Sequence, residues 1–249
     1  MAVTFKVVIP ARYASTRLPG KSLLDIAGKP MVVRVAEQAI KSGASEVVIA
    51  TDFEKIMQVA VEYNIKAVMT RVTHISGTDR IAEVAQTLNW ADDVIVVNVQ
   101  GDEPLIDPIL IQQVAAHLAN SKDAVMATAC HAIHDEASLL NPNIVKVIID
   151  ANGNALYFSR APIPYPRDEI YKNDIQAHRH IGIYAYRVGF LKKYALLTVT
   201  ELEKIESLEQ LRVLQHGYKI GVTVTDNAPA SGVDTQEDLD YVRSVFKDR

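Results

Sequence analysis

The sequence predicts an α/β fold, a mostly parallel sheet flanked by helices and carrying an inserted β-rich subdomain. Three observations support that expectation. Short β-branched or small apolar runs alternate with segments of helical periodicity through the first half of the chain, which implies right-handed crossovers and helices on both faces of one sheet. After about residue 133 the texture changes to a hairpin pattern followed by a proline-rich stretch. Near the C-terminus the strand-then-helix pattern returns.

Taken in order, residues 5–9, 46–50, 66–69, 94–99 and 124–129 read as strands buried on both faces. Residues 30–41 place Val32, Val35, Ala36 and Ala39 on one helical face, with Pro30 near the first turn and Gly43 as the stop. Residues 78–88 repeat Ile81, Val84, Ala85 and Leu88 at helical spacing, and Leu110, Val114 and Leu118 define the next helix. Asp150-Ala-Asn-Gly-Asn154 is a turn between two strand-like runs, 145–149 and 155–158. Ala161-Pro-Ile-Pro-Tyr-Pro166 excludes regular helix and favours an extended loop. Five of the ten tyrosines lie between Tyr157 and Tyr186. This segment either binds or associates through them, or is an aromatic-rich hairpin packed on the core. Residues 220–224 and 235–246 supply a last strand and helix, the helix turning Leu239, Val242 and Phe246 inward.

The 249 residues allow one large domain or two small ones, and 49% apolar with 22% charged residues is ordinary for a soluble globular protein. No apolar run approaches the roughly 18 residues of a membrane span. The N-terminus lacks the basic-then-apolar pattern of a secretory signal. A single cysteine, Cys130, cannot form an internal disulfide, which fits the cytoplasm. A net charge of -4 argues against nucleic-acid or membrane partners. Residues 1–80 nevertheless carry 11 Lys and Arg against 7 Asp and Glu, so the N-terminal third is where an anion would bind.

The first strand runs directly into Ile9-Pro-Ala-Arg-Tyr-Ala-Ser-Thr-Arg-Leu-Pro-Gly-Lys21, which puts Arg12, Arg17 and Lys21 on one short loop. A dinucleotide loop is excluded, because no G-x-G occurs among the eleven glycines. A P-loop is a near miss: Gly20-Lys21-Ser22 is present, but Ser15 stands where the first glycine is needed, and residues 23–26 do not look like a helix starting at the lysine. The remaining reading is a loop that wraps a triphosphate. Ala11, Ala14, Ser15 and Gly20 would let backbone amides approach phosphate oxygens, Arg12 would supply a forked donor and Lys21 a point charge. Further along, Asn98-Val-Gln-Gly-Asp102 closes a buried strand, so Gln100 and Asp102 fall at the carboxyl edge where open α/β sheets bind ligands. Asp234-Thr-Gln-Glu-Asp238 offers a second carboxylate for a cation such as Mg2+, or a plain helix cap.

The loop closely resembles the signature of the 3-deoxy-manno-octulosonate (Kdo) cytidylyltransferases. The likeness spans nearly the whole chain. It recurs in Ser76-Gly-Thr-Asp-Arg80, Asn98-Val-Gln-Gly-Asp-Glu-Pro104, Tyr157-Phe-Ser-Arg-Ala161, His180-Ile-Gly-Ile-Tyr184, Ser207-Leu-Glu-Gln-Leu-Arg212 and Gly232-Val-Asp234.

That resemblance implies a single nucleotidyltransferase domain with a nucleotide-diphospho-sugar transferase-like fold. Residues 1–133 and 190–249 would form the nucleotide-binding core, and 134–189 an inserted sugar-binding and dimerisation subdomain. It implies transfer of CMP from CTP to Kdo for lipopolysaccharide synthesis, with Arg12, Lys21 and Asp102 catalytic and Mg2+ held by Asp102 and Asp234. Arg12, Ser15 and Lys21 would contact the triphosphate, and Arg71, Ser76, Gly77 and Thr78 the base. Gln100, Arg160, His180, Tyr184, Glu209 and Gln210 would line the sugar-acid site of a cytoplasmic homodimer. The alternatives are an N-acylneuraminate or 8-amino-Kdo cytidylyltransferase, and a non-catalytic nucleotide-sugar sensor.

Overall fold

A computed structural model describes residues 3–13, 18–74, 76–168, 177–226, 228–230 and 232–247. Its strands are β1 (Lys6–Ala11), β2 (Asp25–Ile26), β3 (Lys29–Pro30), β4 (Glu46–Thr51), β5 (Lys66–Met69), β6 (Ile95–Asn98), β7 (Ala124–Ile133), β8 (Lys146–Ile149), β9 (Ala155–Ser159), β10 (Ala177–Arg187) and β11 (Lys219–Val224). Its helices are α1 (Met31–Lys41), α2 (Glu54–Glu62), α3 (Gly77–Thr87), α4 (Pro108–Asn120), α5 (Glu136–Leu140), α6 (Val188–Tyr194), α7 (Glu201–Glu206), α8 (Gln210–Gln215) and α9 (Gln236–Lys247).

The main sheet runs β11-β7-β10-β6-β1-β4-β5, with β10 antiparallel to both neighbours and the other pairs parallel. Apolar runs such as Val7-Val8-Ile9 are buried because helices cover both faces. On one face Val7, Ile9, Ile49, Val97 and Ala129 pack with Val32, Val35, Ile56, Leu110 and Val114 of α1, α2 and α4. On the other, Val8, Val48, Val96 and Met126 meet Ile81, Val84, Leu191 and Leu211 of α3, α6 and α8. The hairpin of β8 and β9 adds Val147, Ala155 and Phe158 to this second layer, and β8 hydrogen-bonds to the N-terminal half of β10. Leu239 and Val242 of α9 close a small satellite core with Ile26, Met31 and Val233, against which Phe246 packs.

Two local features aim the site. Between Ile181 and Tyr184 the register of β10 against β7 shifts, because Gly182 and Ile183 have no partners on the facing strand. Thr128 accommodates this bulge by placing Oγ1 3.0 Å from the Ile181 carbonyl and 2.7 Å from that of Ile183. At the end of β6, a Cβ on Gly101 would stand 2.6 Å from the Pro10 carbonyl, so only glycine lets the Asp102 turn pack against the end of β1.

Candidate functional site

The loop after β1 folds back on itself. Tyr13 stacks on Phe53 with ring centroids 4.0 Å apart, and Gly20, at φ +65, donates from its amide to the Tyr13 carbonyl. Lys21 then opens a single 3-10 turn, Lys21–Leu23, and Leu24 is extended. No long helix starts at the lysine, as the mismatch with a P-loop predicts. Arg12 flanks the loop and contributes to the field at Glu209. Ser15 and Arg17 lie outside the described residues.

Lys21 reaches across to the carboxyl edge of the sheet. Its Nζ donates to Asp102 Oδ2 at 2.5 Å, Asp234 Oδ1 at 3.1 Å and the Val233 carbonyl at 3.1 Å. The amide of Val233 donates in turn to the Asp102 carbonyl, tying the two acidic loops together. Burial lowers the Lys21 pKa, but the bonds and charges of Asp102 and Asp234 outweigh it and hold the ammonium above its ordinary value. Thr235 and Asp238 exchange hydrogen bonds around the first turn of α9, so the capping task falls on them and Asp234 faces Lys21. The three oxygens around Nζ already hold one cation, which makes them a fitting donor set for Mg2+. Among the described residues no group of three or more His, Cys, Asp or Glu gathers as a metal site.

Beside this centre lies a cavity of about 360 Å3 lined by Gly77, Thr78, Asn98, Gln100, Tyr184 and Glu209, among others. Ser207, in the left-handed region at φ +52, turns the chain from α7 into α8 and so presents Glu209 and Gln210 to it. Arg212 pins α8 through Glu203 at 2.7 Å and lies over the Tyr194 ring. Burial raises the Glu209 pKa, with Asp79 and Glu203 adding to it and Arg212 and Arg12 opposing. His180 packs on Phe158 and Tyr184, and its Nε2 lies 2.9 Å from Thr128 Oγ1. With the Thr128 proton given to a bulge carbonyl, His180 donates through Nε2, and burial pushes its pKa down to about 3.

The remaining predicted site residues divide between this cavity and other places. Arg160 donates from Nε to the Glu206 carbonyl at 2.7 Å and from Nη1 to the Pro142 carbonyl at 3.0 Å, bracing the end of β9 beside Ser207. Ser76 caps α3 in a capping box with Asp79, while Thr78 Oγ1 lies 3.4 Å from the Tyr186 hydroxyl. Arg71 is exposed and pairs with Glu83 in a separate cleft of about 730 Å3 with His74 and Trp90. Gly77 and Thr78 therefore line one cavity and Arg71 another. Sequence reasoning missed Asn98, Tyr186 and Tyr194 of the smaller cavity. For Asn98 a signal existed: it is the one polar residue in the apolar run 94–99.

An open α/β sheet with a cationic loop facing two aspartates at its carboxyl edge fits a nucleotidyltransferase-type fold. Residues 6–220 match the family model described as Cytidylyltransferase. Relatives named 3-deoxy-manno-octulosonate cytidylyltransferase, from Neisseria gonorrhoeae (strain NCCP11945) and Neisseria meningitidis serogroup A, are 59% and 58% identical over 98% of both chains. A solved structure of CMP:2-keto-3-deoxy-manno-octonic acid synthetase complexed with CTP is 43% identical, with a TM-score of 0.91 over 98% of this chain and 99% of that one. A cytidylyltransferase from Leptospira borgpetersenii shares the fold at 19% identity, with a TM-score of 0.64 over 99% and 88% of the two chains. The chain belongs to the cytidylyltransferase family and, within it, to the 3-deoxy-manno-octulosonate cytidylyltransferases.

Proposed function

We infer that this protein transfers CMP from CTP to Kdo, giving CMP-Kdo and pyrophosphate. The observation that carries the reading is the Lys21 ammonium held between Asp102 and Asp234, beside a cavity of about 360 Å3. In-line attack of the anomeric hydroxyl on the α-phosphorus leaves charge mostly on oxygens, so positioning and fixed cations supply most of the catalysis. Arg12 and Lys21 hold the triphosphate and then neutralise the departing pyrophosphate. Lys21 must leave the two carboxylates to do so, and its flexible stem permits that. Gln100, Tyr184, Glu209 and Gln210 orient the sugar acid. Neutral His180 acts through hydrogen bonding rather than charge. Mg2+ on Asp102 and Asp234 would supply Lewis-acid polarisation of the attacking and phosphoryl oxygens.

A cytoplasmic homodimer completes the proposal. Its support is the lone, buried Cys130, whose thiol burial pushes up to about 12, and exposed Leu140, Leu156 and Tyr165 on segment 134–189. Among the described residues no helix is long and apolar enough to cross a membrane. Pyrophosphate release from CTP and Mg2+ on addition of Kdo tests the activity. Release is expected with Kdo, and its absence from folded protein would overturn the reading.

A further inference from the structure

Asn98 ends β6, pairing with Val8 of β1 and opposite Tyr184 of β10. In a strand otherwise made of Ile and Val it is only 3% exposed, and its Oδ1 has no hydrogen-bond partner. The side chain is anchored at its other end: it hydrogen-bonds to Tyr186, whose hydroxyl also meets Thr78, and its amide nitrogen would lie 3.8 Å from a Cβ on Gly77. Another wall of the same cavity carries Gln210, 5% exposed, whose Nε2 likewise lacks a partner. Buried polar atoms are nearly always paired, and leaving one unmade is destabilising. Two such atoms on residues that line one cavity point to a ligand that supplies the missing partners.

The chemistry of the orphans defines that ligand. Asn98 Oδ1 needs a donor and Gln210 Nε2 needs an acceptor, and Glu209 lines the same cavity. A carboxylate could satisfy only Gln210 and would be repelled by Glu209. An ammonium could satisfy only Asn98 and Glu209. Hydroxyl groups, each both donor and acceptor, satisfy all three. We propose that Asn98 is a specificity-determining residue that accepts a hydrogen bond from a hydroxyl of the sugar acid, so that this wall reads the polyol end of the substrate and not its carboxylate. The proposal rests on the Kdo reading above.

The test measures kcat/KM for Kdo and for analogues lacking one hydroxyl at a time, in wild type, Asn98→Leu and Asn98→Asp. Leucine has similar volume and no acceptor, whereas aspartate keeps the acceptor and guards against a folding failure of the leucine variant. At one hydroxyl position the wild type and Asn98→Asp should lose tenfold or more on deoxygenation, and Asn98→Leu less than threefold, with KM for CTP within twofold throughout. Equal losses in wild type and Asn98→Leu at every position, or in wild type alone relative to Asn98→Asp, would overturn it. A wild type that turns over no Kdo at all would instead sink the functional reading and this proposal with it.

Discussion

Replacing Lys21 by methionine should move cation binding and turnover in opposite directions. The substitution removes one positive charge from between Asp102 and Asp234 while keeping a flexible apolar stem of similar length. Lys21 is 16% exposed and contacts the two carboxylates at 2.5 and 3.1 Å. Unit charges near 3 Å interact by about 1.4 kcal/mol in water and about 5.5 kcal/mol at an effective dielectric of 20. Partial exposure of both aspartates favours the screened end of that range, so a total of about 1.5–3 kcal/mol is released to an incoming cation. That corresponds to Mn2+ binding about 10- to 150-fold tighter in Lys21→Met without nucleotide, read by electron paramagnetic resonance or calorimetric titration. Turnover with CTP should fall at least roughly 100-fold, since the triphosphate loses a fixed cation. Added salt should narrow the difference in Mn2+ affinity. Unchanged or weaker Mn2+ binding in a folded variant would refute the idea that Lys21 occupies the cation position.

Two further outcomes follow from the same geometry. His180 is held neutral down to about pH 3, while its unfolded form takes up a proton near pH 6.5; stability is full above that value and is lost by roughly 1.4 kcal/mol per pH unit as pH falls towards 3. Thermal melts of His180→Asn should therefore show a shallower acid slope than wild type, and parallel slopes would contradict the assignment. Gly101→Ala drives a Cβ against the Pro10 carbonyl, so it should cost about 1–3 kcal/mol and lower turnover by shifting Asp102. An unchanged melting temperature together with unchanged kcat would show that the turn is not under this constraint.

Much of the fold was legible because its signals are local. Val7-Val8-Ile9 and Val32, Val35, Ala36 and Ala39 declare a buried strand and a one-sided helix within a few residues, and the structure places both there. The 11-residue β10 was harder to read, since its bulge at Gly182 and Ile183 breaks the alternation and depends on Thr128 of a distant strand. The helix α2 also escaped notice, because Glu54–Glu62 buries only Ile56 and Ala60. At the site, the cations of the first loop announced themselves by type and spacing, but their partners did not. That Lys21 meets Asp102 and Asp234, 81 and 213 residues away, is decided by topology. Arg160 illustrates the reverse: the likeness places it at the sugar-acid site, while its packing shows Nε and Nη1 donating to the nearby carbonyls of Glu206 and Pro142, pairings that only the fold reveals.

Transfer of CMP to Kdo releases one pyrophosphate per turnover, which makes that release the reaction's plainest readout. Folded protein with CTP and Mg2+ should be offered Kdo, N-acetylneuraminate and 8-amino-Kdo in parallel, with ATP in place of CTP as a further arm. CTP with Kdo should give stoichiometric pyrophosphate and CMP-Kdo, with much slower release in the other arms. No release with any sugar acid, or a preference for N-acetylneuraminate over Kdo, would contradict it.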